Sequence, residues 1–197
     1  MSYQKTHEYE ITPEESYSII RNCSICGCKS VFVNTNNFRV NANGNRIDVW
    51  LIYQCSKCKH TYNLTIHERL KVDQFSSDHF RSLMNNEKEL AKKYGTDKSF
   101  FVKNKAEIDW NSVKYQIVNI KTRQLAADES ILFHSGDIIQ IDNPCGLKVR
   151  NDKIIAELFH ITRNTAKQLE ETGHIKILKN NPGLSIHILN PIDAYQV

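Results

Sequence analysis

Residues 23–58 read CSICGCKSVFVNTNNFRVNANGNRIDVWLIYQCSKC, with a Cys-x-x-Cys pair at each end. Between the pairs, Phe32 to Asn41 and Arg46 to Tyr53 are rich in Val, Ile, Phe and Trp, and Asn43-Gly44 suits a tight turn that needs positive φ. The expectation is a β-hairpin that carries the second pair back to the first. A Cys-x-x-Cys bite folds both sulfurs onto one side of a tight turn, and two such turns complete a tetrahedron. Cys23, Cys26, Cys55 and Cys58 are therefore read as the ligands of one structural Zn2+ in a zinc ribbon. Four thiolates leave no open position for water, so the ion is expected to hold the fold rather than to catalyse hydrolysis. Gly27 suits the left-handed turn after Cys26, whereas Lys59, in the matching place after Cys58, suits it less. Cys28 and His60 adjoin the pairs as alternative ligands, although a Cys26/Cys28 bite loses the paired-knuckle geometry. Cys145 stands between Pro144 and Gly146, with no neighbouring pattern that would depress its pKa, and reads as a buried structural thiol.

Working outward, a chain of 197 residues with 40% hydrophobic composition is long enough for two small domains. Lys and Arg exceed Asp and Glu by 26 to 22, a mild excess that fits attraction to a polyanion without demanding it. The start, MSYQKTHEYE, has no basic segment followed by an apolar one, and no apolar run approaches the roughly 18 residues of a membrane span. A cytoplasmic location is expected. In a reducing compartment six cysteines are not a disulfide framework, which favours metal for the two close pairs.

Thr12-Pro13-Glu14-Glu15 has the form of a helical capping box and predicts a short turn of helix before Cys23, with an extended lead-in as the alternative. Phe80, Leu83, Met84, Leu90, Ala91 and Tyr94 recur at helical spacing over residues 76–95, which reads as one broken helix or two short ones. Val113 to Ile120 and Ile131 to Ile141 return to a strand pattern, with Ser135-Gly136-Asp137 as a turn. From residue 149 a helical pair follows, with Thr162 capping the second helix and Gly173 ending it; Ile175 and Ile177 then open a closing hairpin that turns at 180–183 and returns over Ser185 to Leu189. The expected fold is α+β: an N-terminal antiparallel zinc ribbon with its lead-in (1–72), a helical connecting segment (73–125), and a helix pair packed on a small β-sheet (126–197).

The stretch FRVNANG through DVWLIY between the Cys pairs resembles a bacterial family of unknown function, DUF1062. That resemblance implies a ribbon and no established activity. Separately, residues 149–177 resemble the S4 RNA-binding module: Arg150, Asp152, Lys153, Thr162, Arg163, Ala166, Lys167 and Gly173 match its pattern. The resemblance implies that Arg150, Lys153, Arg163 and Lys167 face RNA phosphates, while Asp152 orients Arg163 or caps the helix. Two departures stand beside it: no Asn-Gly turn follows the first strand, and the Gly136 to Ile141 segment GDIIQI precedes the helices instead of closing the module. The expected function is non-enzymatic binding of structured RNA, rRNA or tRNA. The alternatives are a winged helix-turn-helix presenting Arg163, Asn164, Lys167 and Gln168 to DNA, or a protein-protein adaptor. Arg39, Asn41 and Trp50 read as packing residues, with a nucleic-acid surface as the second reading.

Overall fold

The computed structural model describes residues 5–129, 131–180 and 182–192. In chain order the elements are β1 (Thr6–Pro13), β2 (Ile19–Cys23), β3 (Cys28–Asn43), β4 (Arg46–Cys55), β5 (Thr61–Lys71), α1 (Ser77–Met84), α2 (Lys88–Thr96), α3 (Lys98–Lys103), β6 (Glu107–Ile108), β7 (Tyr115–Asn119), β8 (Ile138–Asp142), α4 (Asn151–Phe159), α5 (Arg163–Glu171), β9 (Ile175–Asn180) and β10 (Gly183–Ile188). They form two compact units, one of Pro13–Lys114 and one that joins the residues up to Thr12 to those from Tyr115 onward. These boundaries differ from the sequence divisions at 72 and 125.

The α+β expectation is corrected. Strand accounts for 40% of the described residues and helix for 25%, in two five-stranded sheets with only short helices. Part of the reason lies in the lead-in. THEYEITP buries His7, Tyr9, Ile11 and Pro13 at every second position, the period of a strand, so the capping-box letters at Thr12-Pro13 fall at a strand end. Another part is β5, whose Leu64 and Ile66 alternate into the core. The helical middle is three separate helices of eight, nine and six residues.

In the Pro13–Lys114 unit the sheet order is β5-β4-β3-β2-β6, antiparallel throughout. The long β3–β4 hairpin closes on the Asn43–Arg46 pair, and Gly44 takes φ +61 at its tip. β4 turns Ile47, Val49, Leu51, Tyr53 and Cys55 inward, while Trp50 and Ile52 on its other side are half-buried and Arg39 and Asn41 are exposed. Tyr17, Tyr53 and Phe101 meet in the core, where the Tyr53 hydroxyl donates to the Tyr17 carbonyl at 3.0 Å. Each such large side chain taken out of water contributes about 1.5–3 kcal/mol. Gly95, in the last turn of α2, admits close packing: a Cβ there would collide with Ser16 and Asn34. Asn104 covers the β5 edge, accepting from Thr65 N–H at 2.6 Å and donating to its carbonyl at 3.0 Å.

The other unit has the order β7-β1-β8-β10-β9. β1 runs parallel to β8, with Thr6 opposite Ile138, and β8, β10 and β9 continue antiparallel. The expected strand over 131–141 is confined to β8; Ser135 and Gly136 form the turn before it, closed by Asp137 N–H donating to the His134 carbonyl at 3.0 Å. α4 buries Ile154, Ile155, Leu158 and Phe159, and α5 buries Ala166 and Leu169. Thr162 caps α5 by accepting from Thr165 N–H at 3.2 Å. A buried carboxylate, Glu129, accepts from Tyr9, Asn119 and Thr122 at 2.9, 3.1 and 2.7 Å and ties β1 to β7. Among the described residues no helix is long and apolar enough to cross a membrane.

Candidate metal centre

Both Cys pairs sit in hairpin turns at one end of the antiparallel sheet. Cys23 and Cys28 face each other as the last pair of the β2–β3 ladder, so residues 24–27 form that turn. Cys55 ends β4, and Gln54 pairs with Thr61 across the second turn. Because Phe32 pairs with Cys55, the β3–β4 hairpin returns the chain to the end from which it left. That return accounts for the 28 residues between the pairs.

The two turns are built alike. Gly27 N–H donates to the Cys23 carbonyl at 2.9 Å and Lys59 N–H to the Cys55 carbonyl at 3.1 Å, with φ of +65 and +66. Lys59 therefore adopts the left-handed conformation that its side chain disfavours, held there by Gln54, whose amide donates to the Lys59 carbonyl at 2.9 Å.

The four sulfurs lie within 4.8 Å of one another. The separations Cys23–Cys58 and Cys26–Cys55 are 3.4 and 3.9 Å. A tetrahedron with metal–sulfur bonds of about 2.3 Å has sulfur–sulfur edges of about 3.8 Å, so the donor set fits a four-thiolate ion. Cys23 and Cys55 are buried, Cys26 and Cys58 half-buried. The backbone N–H of Cys26 lowers the Cys23 thiol, and that of Cys58 lowers the Cys55 thiol to about 6. Cys26 is pushed up to about 12, first by the Cys58 sulfur and then by burial and the other sulfurs. Thiolates this close repel, and a divalent cation among them would favour ionisation of all four. Cys28 and His60 stand outside the cluster: Cys28 is exposed with its sulfur 3.8 Å from the Ser30 hydroxyl, and His60 Nε2 lies 3.2 Å from the Ser24 hydroxyl. Cys145 is half-buried rather than buried.

At the second expected site, the structure brings Arg150 and Arg163 together on one carboxylate. Asp152, buried at the start of α4, accepts from Arg150 at 3.1 and 3.0 Å and from Arg163 at 3.2 and 3.0 Å. Burial alone would raise the Asp152 pKa, but the two guanidiniums outweigh it and hold the carboxyl below its usual value. Lys153 instead lies over the Tyr115 ring, its Nζ 4.3 Å from the centroid, and Lys167 is exposed on α5. Sequence reasoning missed Tyr115 as a neighbour of this group, since nothing in the β7 pattern marks it.

The model of the family described as "Protein of unknown function (DUF1062)" matches residues 40–181. The chain belongs to that family. The match to DUF1062 takes in Cys55, Cys58 and the α4–α5 pair and begins after Cys23 and Cys26. No curated protein and no solved structure matches the chain significantly.

Proposed function

We propose that this DUF1062 protein is a non-enzymatic RNA-binding protein whose four-cysteine cluster holds a structural Zn2+ and whose α4–α5 edge contacts the phosphates of structured RNA. The observation that carries the RNA reading is the arginine pair on Asp152. Two guanidiniums are held side by side by a buried carboxylate, while their side chains remain 66% and 50% exposed. Each therefore keeps donors free toward solvent. Preorganised arginines lose little rotamer freedom on meeting phosphate, and bidentate geometry suits that partner. Lys167 on the exposed side of α5 adds a third cation.

The zinc part rests on the donor set. Four thiolates in two knuckle turns complete a coordination sphere and leave no site for water, which favours a staple over a catalytic metal. A cytoplasmic location accords with free thiols in such a site.

The test is titration of zinc-loaded protein against a structured RNA and a duplex DNA of equal length at several salt concentrations. The reading expects RNA preference with a steep salt dependence, and weaker, less salt-sensitive binding by an Arg163→Gln/Lys167→Gln variant. Preference for duplex DNA would favour a helix-turn-helix role instead. Indifference to both at low salt would point to a protein partner.

A further inference from the structure

We infer that the knuckle end of the Pro13–Lys114 unit is a second RNA-contact surface, formed by Arg21, Lys29, Lys57 and Lys59 around an Arg21–Tyr62 stack. It rests on the RNA reading above and extends it to a different part of the molecule. The first observation is charge. Between Glu15 and Glu68 the single acidic residue is Asp48. The register puts Asp48 opposite Asn41, toward the Gly44 tip of the β3–β4 hairpin and away from the cysteines, and its carboxylate accepts from Arg69 N–H. The knuckle end therefore carries four cations from its own strands and turns. β6 brings one carboxylate nearby, Glu107 opposite Ile20, and its exposed chain neighbour Lys105 carries the opposite charge. A zinc ion with four thiolates has a net charge of about −2, so four cations exceed what the centre itself would neutralise.

The second observation is shape. The sheet curls so that its β2 and β5 strands meet at this end. Arg21, on β2, stacks over the Tyr62 ring of β5 at 3.1 Å from the centroid, and over Phe32 at 5.6 Å. His60 and Ser24 join the two knuckle turns at 3.2 Å. Between them lies a cleft of about 50 Å3, lined by Arg21, Asn22, Ser24, His60, Thr61 and Tyr62. It is too small for a base, so the cleft is a notch beside the stack rather than a pocket. At the tip of the first knuckle Ile25 is 68% exposed. An arginine–tyrosine stack offers π-faces to an unpaired base, and flanking lysines offer the phosphate contacts; together these are the means by which single-stranded RNA segments are held. The surface thus fits an unpaired loop or end of an RNA.

The test uses the full zinc-loaded chain and a labelled RNA hairpin with a single-stranded 3′ overhang, read by fluorescence anisotropy across salt concentrations. Lys29→Gln/Lys57→Gln changes two exposed cations outside the metal set and is compared with Arg163→Gln/Lys167→Gln. Removing two phosphate contacts should flatten the log–log salt slope by about 1.4, at roughly 0.7 per contact for a single strand. Lys29→Arg/Lys57→Arg should keep the original slope, and unchanged zinc content shows that the centre is intact. If the knuckle variant binds as the parent does while the α5 variant loses affinity, this inference falls and the function proposed above stands. If the knuckle variant alone loses affinity, the inference stands and the α4–α5 reading falls. A parent protein that ignores the RNA at low salt overturns both.

Discussion

Lys59 shows how a single residue can fit a site against its own preference. It takes φ +66 in the second knuckle, where its counterpart Gly27 pays no steric penalty for φ +65. A non-glycine residue in this region costs roughly 1–2 kcal/mol, and glycine's greater freedom in the unfolded chain returns part of that. Lys59→Gly is expected to stabilise the Pro13–Lys114 unit by about 0.5–1 kcal/mol, seen as a higher denaturation midpoint at constant zinc content; a lower midpoint would show that the Lys59 side chain, whose Nζ is 3.3 Å from the Ser56 carbonyl, contributes more than the strain costs. The reading of this position from sequence was sound because the demand for positive φ follows from the knuckle alone. The burial of Asp152 between two arginines was legible in part, through the Asp–Arg pairing that the S4 resemblance implied. Its link to Arg150 was not, since that depends on where the chain enters α4.

At the scale of elements, β3, β4, α5 and the closing hairpin were legible because each carries its own punctuation: Asn43-Gly44, Thr162 and Gly173. β1 and β5 were not. In β1 the buried positions are His7, Tyr9 and Ile11, separated by Glu8 and Glu10, and the alternation is easily overlooked beside the helix-like TPEE that follows. Its partner, β8, is more than 130 residues away in the chain, a pairing that no local pattern announces. Where the two strands begin lies a titratable pair: His7 Nε2 is 3.5 Å from Asp137 Oδ2, and both side chains are buried. Burial, then the charge of Lys5, lowers the His7 pKa below 6.5, while its contact with Asp137 opposes the shift. The unfolded chain therefore binds the proton more readily, so stability rises with pH across this window and is lost as pH falls below 6.5 toward the folded value. Protection of the β1 and β8 amides, taken relative to intrinsic exchange rates that themselves slow as pH falls, is expected to drop between pH 6.5 and 5.5, and His7→Gln should remove that drop. Equal protection of the two proteins relative to their intrinsic rates at both pH values would contradict it.

For the molecule as a whole, the two sheets belong to two units, and the four cysteines of the cluster belong to one of them. The cluster sits where two hairpin turns of the Pro13–Lys114 sheet come together, so metal binding is coupled to closure of that end of the sheet. The mainly β character escaped sequence reading because β1 and β5 were not recognised: the lead-in was assigned by its strongest local pattern, which was helical at Thr12 to Glu15, whereas the helical pattern over 76–95 does form α1 and α2. The metal ligands escaped that difficulty, since their spacing specifies a turn whatever surrounds it. The most direct measurement of the central claim is a titration of metal-free protein with Co2+ under reducing conditions, followed by visible absorption. One equivalent should produce the intense tetrahedral bands and sulfur charge transfer of a four-thiolate site, displaced by one equivalent of Zn2+ and lost in Cys55→Ser. Absence of those bands, or a spectrum with a water or nitrogen ligand in the wild-type protein, would contradict the account.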